Sequence, residues 1–238
     1  PAAFPFPTDE AGEQGSYRQA QDLVLDGNNH HPLWARMVGC RLRNVATVYT
    51  RGAVWIIAVP FVAVLGNAML LPLLAPMAVE LNTSTARAGI LISAFSLPAA
   101  LAIPVAGYLS DRYRRIDVLV PALVLYGLGG LATATAAALG PSLVWMAVAR
   151  ALQGLGAAGT TQLAMALASD LEGGQRRLRL LAWLESSNAV AKALSPLLGA
   201  ACASLSWYAP FYLYPLLAWP VAAGLWWCFR HHRRPAAT

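Results

Sequence analysis

The chain has 238 residues, 58% of them hydrophobic and only 12% charged, with a mean hydropathy of +0.52. Soluble domains carry about 25% charged residues, so the composition excludes an ordinary water-soluble domain. A formal net charge of +6 would suggest nucleic acid in a soluble chain, but here the Arg residues sit between long apolar runs, a pattern that sets membrane orientation and predicts no nucleic-acid partner.

In chain order, residues 1–32 are polar and rich in Pro, Gly, Asp and Glu, which predicts a partly disordered cytosolic tail. The segment has no basic stretch followed by an apolar one, so it does not read as a signal peptide. Residues 33–52 turn basic and amphipathic, with Trp34, Met37, Val38 and Leu42 alternating with Arg36, Arg41 and Arg43. That spacing predicts a helix lying in the headgroup region. A helix needs about 20 mostly apolar residues to cross the hydrocarbon core. Six runs meet that need: Ala53–Leu74, Ala88–Leu109, Val118–Leu139, Ser142–Ala168, Leu180–Leu205 and Tyr208–Phe229. The connections are short, so consecutive spans are antiparallel, and residues 231–238 read as the start of a cytosolic loop or tail.

Arg residues mark one side. The N-terminal flank has Arg36, Arg41, Arg43 and Arg51, and the 2–3 loop has Arg112, Arg114 and Arg115. The 4–5 loop has Arg176, Arg177 and Arg179, and the C-terminal flank has Arg230, Arg233 and Arg234. The opposite side holds Arg87 alone, beside Glu80. This asymmetry predicts cytoplasmic termini. Prolines at 60, 72, 98, 104, 196, 215 and 220 predict kinks that a membrane bundle tolerates. Small residues in span 4 (Gly154, Gly156, Ala157, Ala158, Gly159) and span 5 (Gly199, Ala200, Ala203) predict close helix packing. Cys40, Cys202 and Cys228 are scattered and form no metal-like cluster, and no metal or cofactor is expected.

Three motifs carry a resemblance. The 2–3 loop reads Gly107-Tyr-Leu-Ser-Asp111-Arg112-Tyr-Arg114-Arg115. It resembles the signature of the major facilitator superfamily: a Gly, three residues, Asp-Arg and a basic cluster, with Arg114 where the pattern usually has Gly. The Gly would let two helices approach, and the Arg side chains can bridge to carboxylates of other helices. Span 4 carries Arg150-Ala-Leu-Gln153-Gly154-Leu-Gly156, similar to that family's span-4 motif. Span 5 carries Lys192-Ala-Leu-Ser195-Pro196-Leu-Leu-Gly199-Ala200, a weakened form of the motif of the drug:proton antiporter branch. The resemblance implies an all-α membrane protein, the N-terminal six-helix half of that fold. It assigns gating and motif roles to Gly107, Asp111, Arg112, Arg115, Gly154, Pro196 and Gly199.

Two charges lie near the bilayer midplane. Lys192 is about 12 residues, or about 18 Å, into span 5, and Arg150 is about 12 Å from the opposite face. Ionised groups at that depth normally face a cavity or a partner. Arg150, Lys192, Asn67 and Gln153 are therefore the expected substrate contacts. A buried Arg150 bonded to backbone carbonyls is the structural alternative, and it is compatible with the first. Glu185, seven residues before Lys192 on the same face, is the expected proton-coupling group and a partner for Lys192. With two cations against one carboxylate, an anionic or zwitterionic solute is favoured.

The function these readings imply is a secondary transporter half that moves a small organic solute by alternating access with proton coupling, in a bacterial inner membrane. Its second wall would be a C-terminal six-helix half, from the same gene, a separate chain or a homodimer partner. A non-transporting relative that serves as an assembly factor, scaffold or sensor is the alternative. An enzyme is disfavoured, because Ser110, Asp111, His30 and His31 form no triad or metal set.

Overall fold

The structure, a computed structural model, describes residues 52–140 and 142–230. The tail and the C-terminal segment 231–238 lie outside these residues, as does the interfacial segment 33–52 apart from Gly52, which opens span 1. Among the described residues every regular element is a helix, and six rods follow in chain order.

Span 1 runs Gly52–Glu80. It is α-helical over 52–68, turns at Met69 and Leu70, tightens into a 3-10 turn at Leu71–Leu73, and resumes at Leu74–Glu80. Pro72 lacks an N–H and cannot continue the α-helical ladder, so the chain closes i to i+3 bonds instead: Leu70 N–H to Asn67 O at 3.2 Å and Leu73 N–H to Leu70 O at 3.0 Å. Span 2 opens with the turn Thr85–Ala88, whose Arg87 N–H donates to Ser84 Oγ, and continues as Ile90–Arg112. Span 3 is Arg115–Leu139.

Span 4 was expected to be continuous over 142–168, but it consists of Leu143–Ala157 and Thr160–Leu171. The break falls at Ala158 and Gly159, where Gly159 has φ +69, a left-handed conformation that costs glycine little. Span 5, Gly174–Ala203, begins six residues earlier than the apolar run Leu180–Leu205 suggests. Span 6 is Ala209–Phe229.

By length and apolar composition alone, spans 1, 2 and 3 qualify as membrane-crossing helices among the described residues. The other three fall short for separate reasons. Span 4 is split into pieces of 15 and 12 residues. Span 5 carries Arg176, Arg177, Arg179, Glu185 and Lys192, and span 6 is rich in Trp, Tyr and Pro. Each still crosses the same bundle.

Span 3 packs mainly against spans 4 and 6, and span 2 against span 4. The small residues of span 4 make this possible. A Cβ on Gly154 would lie 2.1 Å from Phe95 O, and one on Gly156 would lie 2.3 Å from Tyr126 N. Span 2 shows its outward face: only 17% of its apolar window is buried, against 44% for spans 1 and 3. Leu97, Leu101, Val105 and Tyr108 stand exposed there.

Replacing Gly154 therefore tests the packing. Alanine gains about 1 kcal/mol of helix propensity over glycine, but the backbone of span 2 must move to admit the methyl, at about 1–3 kcal/mol. Thermal melts should show Gly154→Ala less stable than wild type. Gly140→Ala, at a loop position with nothing within 4 Å, should melt like wild type.

Candidate functional site

Arg150 lies midway along the first piece of span 4 and is fully buried. Its Nη1 donates to Gln153 Oε1 at 2.7 Å, one helical turn on, and its Nη2 donates to Gly66 O of span 1 at 2.6 Å. The guanidinium sits 4.8 Å from the Phe95 ring centroid and 5.8 Å from those of Phe211 and Tyr214. Tyr214 O–H also donates to Gly66 O at 3.5 Å. The reason lies in span 1. The N–H of Leu70 would serve Gly66 O in a regular α-helix, but the 3-10 turn sends it to Asn67 O. The carbonyl so freed is capped by Arg150. No carboxylate pairs with Arg150 among the described residues; backbone dipole and aromatic faces carry the charge instead.

Arg150 and Gln153 are fully buried and stand in the wall of the bundle. The structural alternative, an arginine on a backbone carbonyl, describes Arg150. Three buried atoms of this region, Arg150 Nε, Gln153 Nε2 and Asn67 Oδ1, have no hydrogen-bond partner.

The cleft lies on the other side of span 1. It has a volume of about 370 Å³ and is lined by Ala63, Val64, Asn67, Ala68 and Leu71 of span 1, Ile92 of span 2 and Lys192 of span 5. Asn67 Nδ2 donates to Ser96 Oγ at 3.2 Å, which joins spans 1 and 2 at the cleft. The structure thus brings Asn67 and Lys192 together and leaves Arg150 and Gln153 behind the wall, with the Gly66–Asn67 peptide between. The pairing expected of Glu185 with Lys192 is absent. Glu185 instead accepts from Asn188 Nδ2 at 3.3 Å, and neither ion pair among the described residues involves Lys192. Seven residues separate the two by about 10.5 Å of helical rise, and Asn188 engages the carboxylate instead.

The span-5 motif has a steric explanation. Gly199 is buried, and a Cβ there would lie 2.7 Å from Met69 O, in the turn of span 1. Pro196 lies one turn earlier within the helix. Ser187 Oγ donates to Ile57 O at 2.8 Å, a second tie between spans 1 and 5 that nothing in the sequence pattern singled out.

In the 2–3 loop, Arg115 forms a hydrogen-bonded ion pair with Asp170, at the end of span 4. Arg112 Nη1 donates to Tyr108 Oη at 3.3 Å, and Asp111 is exposed beside it. Arg114 has φ −65 and ψ 137, so the turn does not need the glycine usual at this position. Its Nη2 donates to Phe229 O at 2.8 Å and so caps the end of span 6. At Gly107 nothing lies within 4 Å of a Cβ placed there among the described residues.

The profile of the Major Facilitator Superfamily matches residues 56–238. The chain belongs to that superfamily. The bacillibactin exporter of Bacillus subtilis (strain 168) is 40% identical over 157 residues, which is 65% of this chain and 39% of the exporter. The inner membrane transport protein YajR of Escherichia coli (strain K12) is 33% identical over 171 residues, 71% of this chain and 36% of its own length. The 3-(3-hydroxy-phenyl)propionate transporter of the same organism is 36% identical over 117 residues, 49% of this chain and 27% of that protein. The chain therefore spans well under half the length of these relatives. Among solved structures, the human organic anion transporter MFSD10 (TETRAN) shares the fold with a TM-score of 0.54 and 21% identity, covering 76% of this chain and 47% of that one. An integral membrane protein of this superfamily is what the apolar helices and these matches together establish.

Removing the arginine tests the knot. Arg150→Met leaves the Gly66 carbonyl buried with only the long Tyr214 bond, at a cost of about 1–3 kcal/mol. Thermal melts of the purified variant should show that loss, and Arg150→Lys, with a single ammonium for two acceptors, should recover only part of it.

Proposed function

We propose that this chain is the N-terminal half of a secondary transporter that carries a small organic anion or zwitterion, and that the cleft between spans 1, 2 and 5 is its share of the cargo site. One observation carries the reading: Lys192 lies deep in span 5, lines the cleft opposite Asn67, and has no ion-pair partner among the described residues. An unpaired ammonium at membrane depth is costly, and a cargo carboxylate or phosphate offsets that cost. Five apolar residues around it receive the rest of the solute, as in most small-molecule pockets. Arg150, close behind the same stretch of span 1, adds positive potential without touching the cargo. One relative is named for 3-(3-hydroxy-phenyl)propionate, an organic carboxylate. Two others, the bacillibactin exporter and the efflux pump MMF1 of Pseudozyma antarctica (strain T-34), are named for export, in keeping with the antiporter-like motif of span 5.

The remaining assignments complete the proposal. A C-terminal six-helix half closes the cleft. The Arg-rich ends face the cytoplasm of a bacterium, with the chain in the inner membrane. Glu185, exposed on the Lys192 face with Asn188 as donor, takes and releases the coupling proton. Asp111, with Arg112 and Arg115, gates the cytoplasmic side through the ties of the 2–3 loop.

The test is transport by the full-length gene product in proteoliposomes, with a panel of aromatic carboxylates and a matched panel of organic cations. Lys192→Met should weaken carboxylate transport at least about tenfold, since a charge-assisted hydrogen bond contributes about 1.5–3 kcal/mol. Lys192→Arg should keep part of it. Glu185→Gln should flatten the pH dependence of the rate and leave carboxylate binding near wild type. Carboxylate transport unchanged in Lys192→Met, or cation transport lost in its place, would overturn the assignment. For orientation, a cysteine beside Arg177 should react only with reagents that reach the cytoplasm.

A further inference from the structure

We propose that the first turns of span 5 form a binding site for anionic phospholipid headgroups, built on Arg176, Arg177 and Arg179. Span 5 has 30 residues, about 45 Å at 1.5 Å per residue, whereas the hydrocarbon core is about 30 Å thick. The surplus falls at its polar start, where residues 173–179 are exposed without exception. That start therefore lies at headgroup depth.

The three guanidinium groups differ from those around them. Arg112 is bonded to Tyr108, Arg114 to the Phe229 carbonyl and Arg115 to Asp170, and Arg230 stacks on Trp227. Arg176, Arg177 and Arg179 have no hydrogen-bond or ion-pair partner among the described residues. Asp170 is already held by Arg115, which leaves Glu172 as one nearby negative charge against three positive ones. Leu178 and Trp183 on the same turns are 61% and 59% exposed, and together they give an apolar flank and an interfacial indole of the kind that settles at the membrane surface. Planar guanidinium groups bind phosphate oxygens in pairs, and clustered arginines beside a span attract anionic lipid. The phosphodiester of an anionic phospholipid, its acyl chains along Leu178, matches this arrangement in charge, depth and polarity. The lipid site stands whether or not the cleft carries cargo.

Melting the intact protein in detergent micelles doped with phosphatidylglycerol or with phosphatidylcholine tests the site, with native mass spectrometry counting retained lipids. Phosphatidylglycerol should raise Tm above the phosphatidylcholine value. R176Q/R177Q/R179Q should lose most of that rise and most of the retained lipid, with an unchanged Tm in phosphatidylcholine. R176K/R177K/R179K, which keeps charge but not paired donors, should fall between. If the triple glutamine variant does not fold, the three single variants should each lose part of the rise. An equal rise in the glutamine variants, equal effects of the two lipids on wild type, or the same rise with inorganic phosphate alone would overturn the proposal.

Discussion

The hydrogen bond from Arg150 to the Gly66 carbonyl is the contact on which the rest of the bundle depends. Pro72 forces span 1 into a 3-10 turn, and that turn strips Gly66 O of its helical donor. A bare carbonyl at membrane depth costs several kcal/mol, so a donor must come from another helix. Span 4 supplies it, and a fully buried guanidinium in turn requires acceptors and aromatic faces. Gln153, Phe95, Phe211 and Tyr214 meet that need from spans 4, 2 and 6. A single redirected N–H in span 1, that of Leu70, thus ties four helices together. It also explains the glycines: Gly154 must let span 4 approach Phe95, and Gly199 must let span 5 approach the turned backbone at Met69.

The same knot shapes the cleft. Asn67 follows Gly66, so holding that peptide fixes one wall, while Ser96 fixes the Asn67 amide. Lys192 faces this wall from span 5. Two cations then stand near one stretch of span 1, one spent on the backbone and the other unspent. The difference lies in burial: Arg150 has no exposed surface, whereas Lys192 lines the cleft.

Much of the fold was legible in the sequence because lipid leaves few choices. Long apolar runs must be helices, and Arg-rich loops alternate with bare ones. Other features were not. Span 5 starts early because helix continues into a Gly-Gln-Arg-Arg stretch that hydropathy reads as loop. The break in span 4 depends on one positive φ at Gly159, a residue equally suited to packing. At the site, Lys192 and Asn67 could be found as polar groups at midplane depth. Arg150 could be placed at that depth but not on its side of the wall, since the freed carbonyl it caps depends on a turn geometry that composition does not display. Glu185 and Lys192 share a face by count, yet two turns of rise separate them and Asn188 takes the carboxylate, so the pair stays open. Arg114 shows the converse: a departure from the usual glycine is explained by an extended backbone with negative φ and by a carbonyl at the end of span 6.

Lys192 is the one lysine in these 238 residues, which gives the central claim a direct measurement. An uncharged, membrane-permeant amine reagent, applied to the intact protein and read by peptide mass spectrometry, reports whether its ammonium lies open in the cleft. The account predicts that Lys192 is modified and that an aromatic carboxylate slows its modification while an organic cation of the same size does not. A Lys192 that resists the reagent, or one that is protected equally by both solutes, would contradict it.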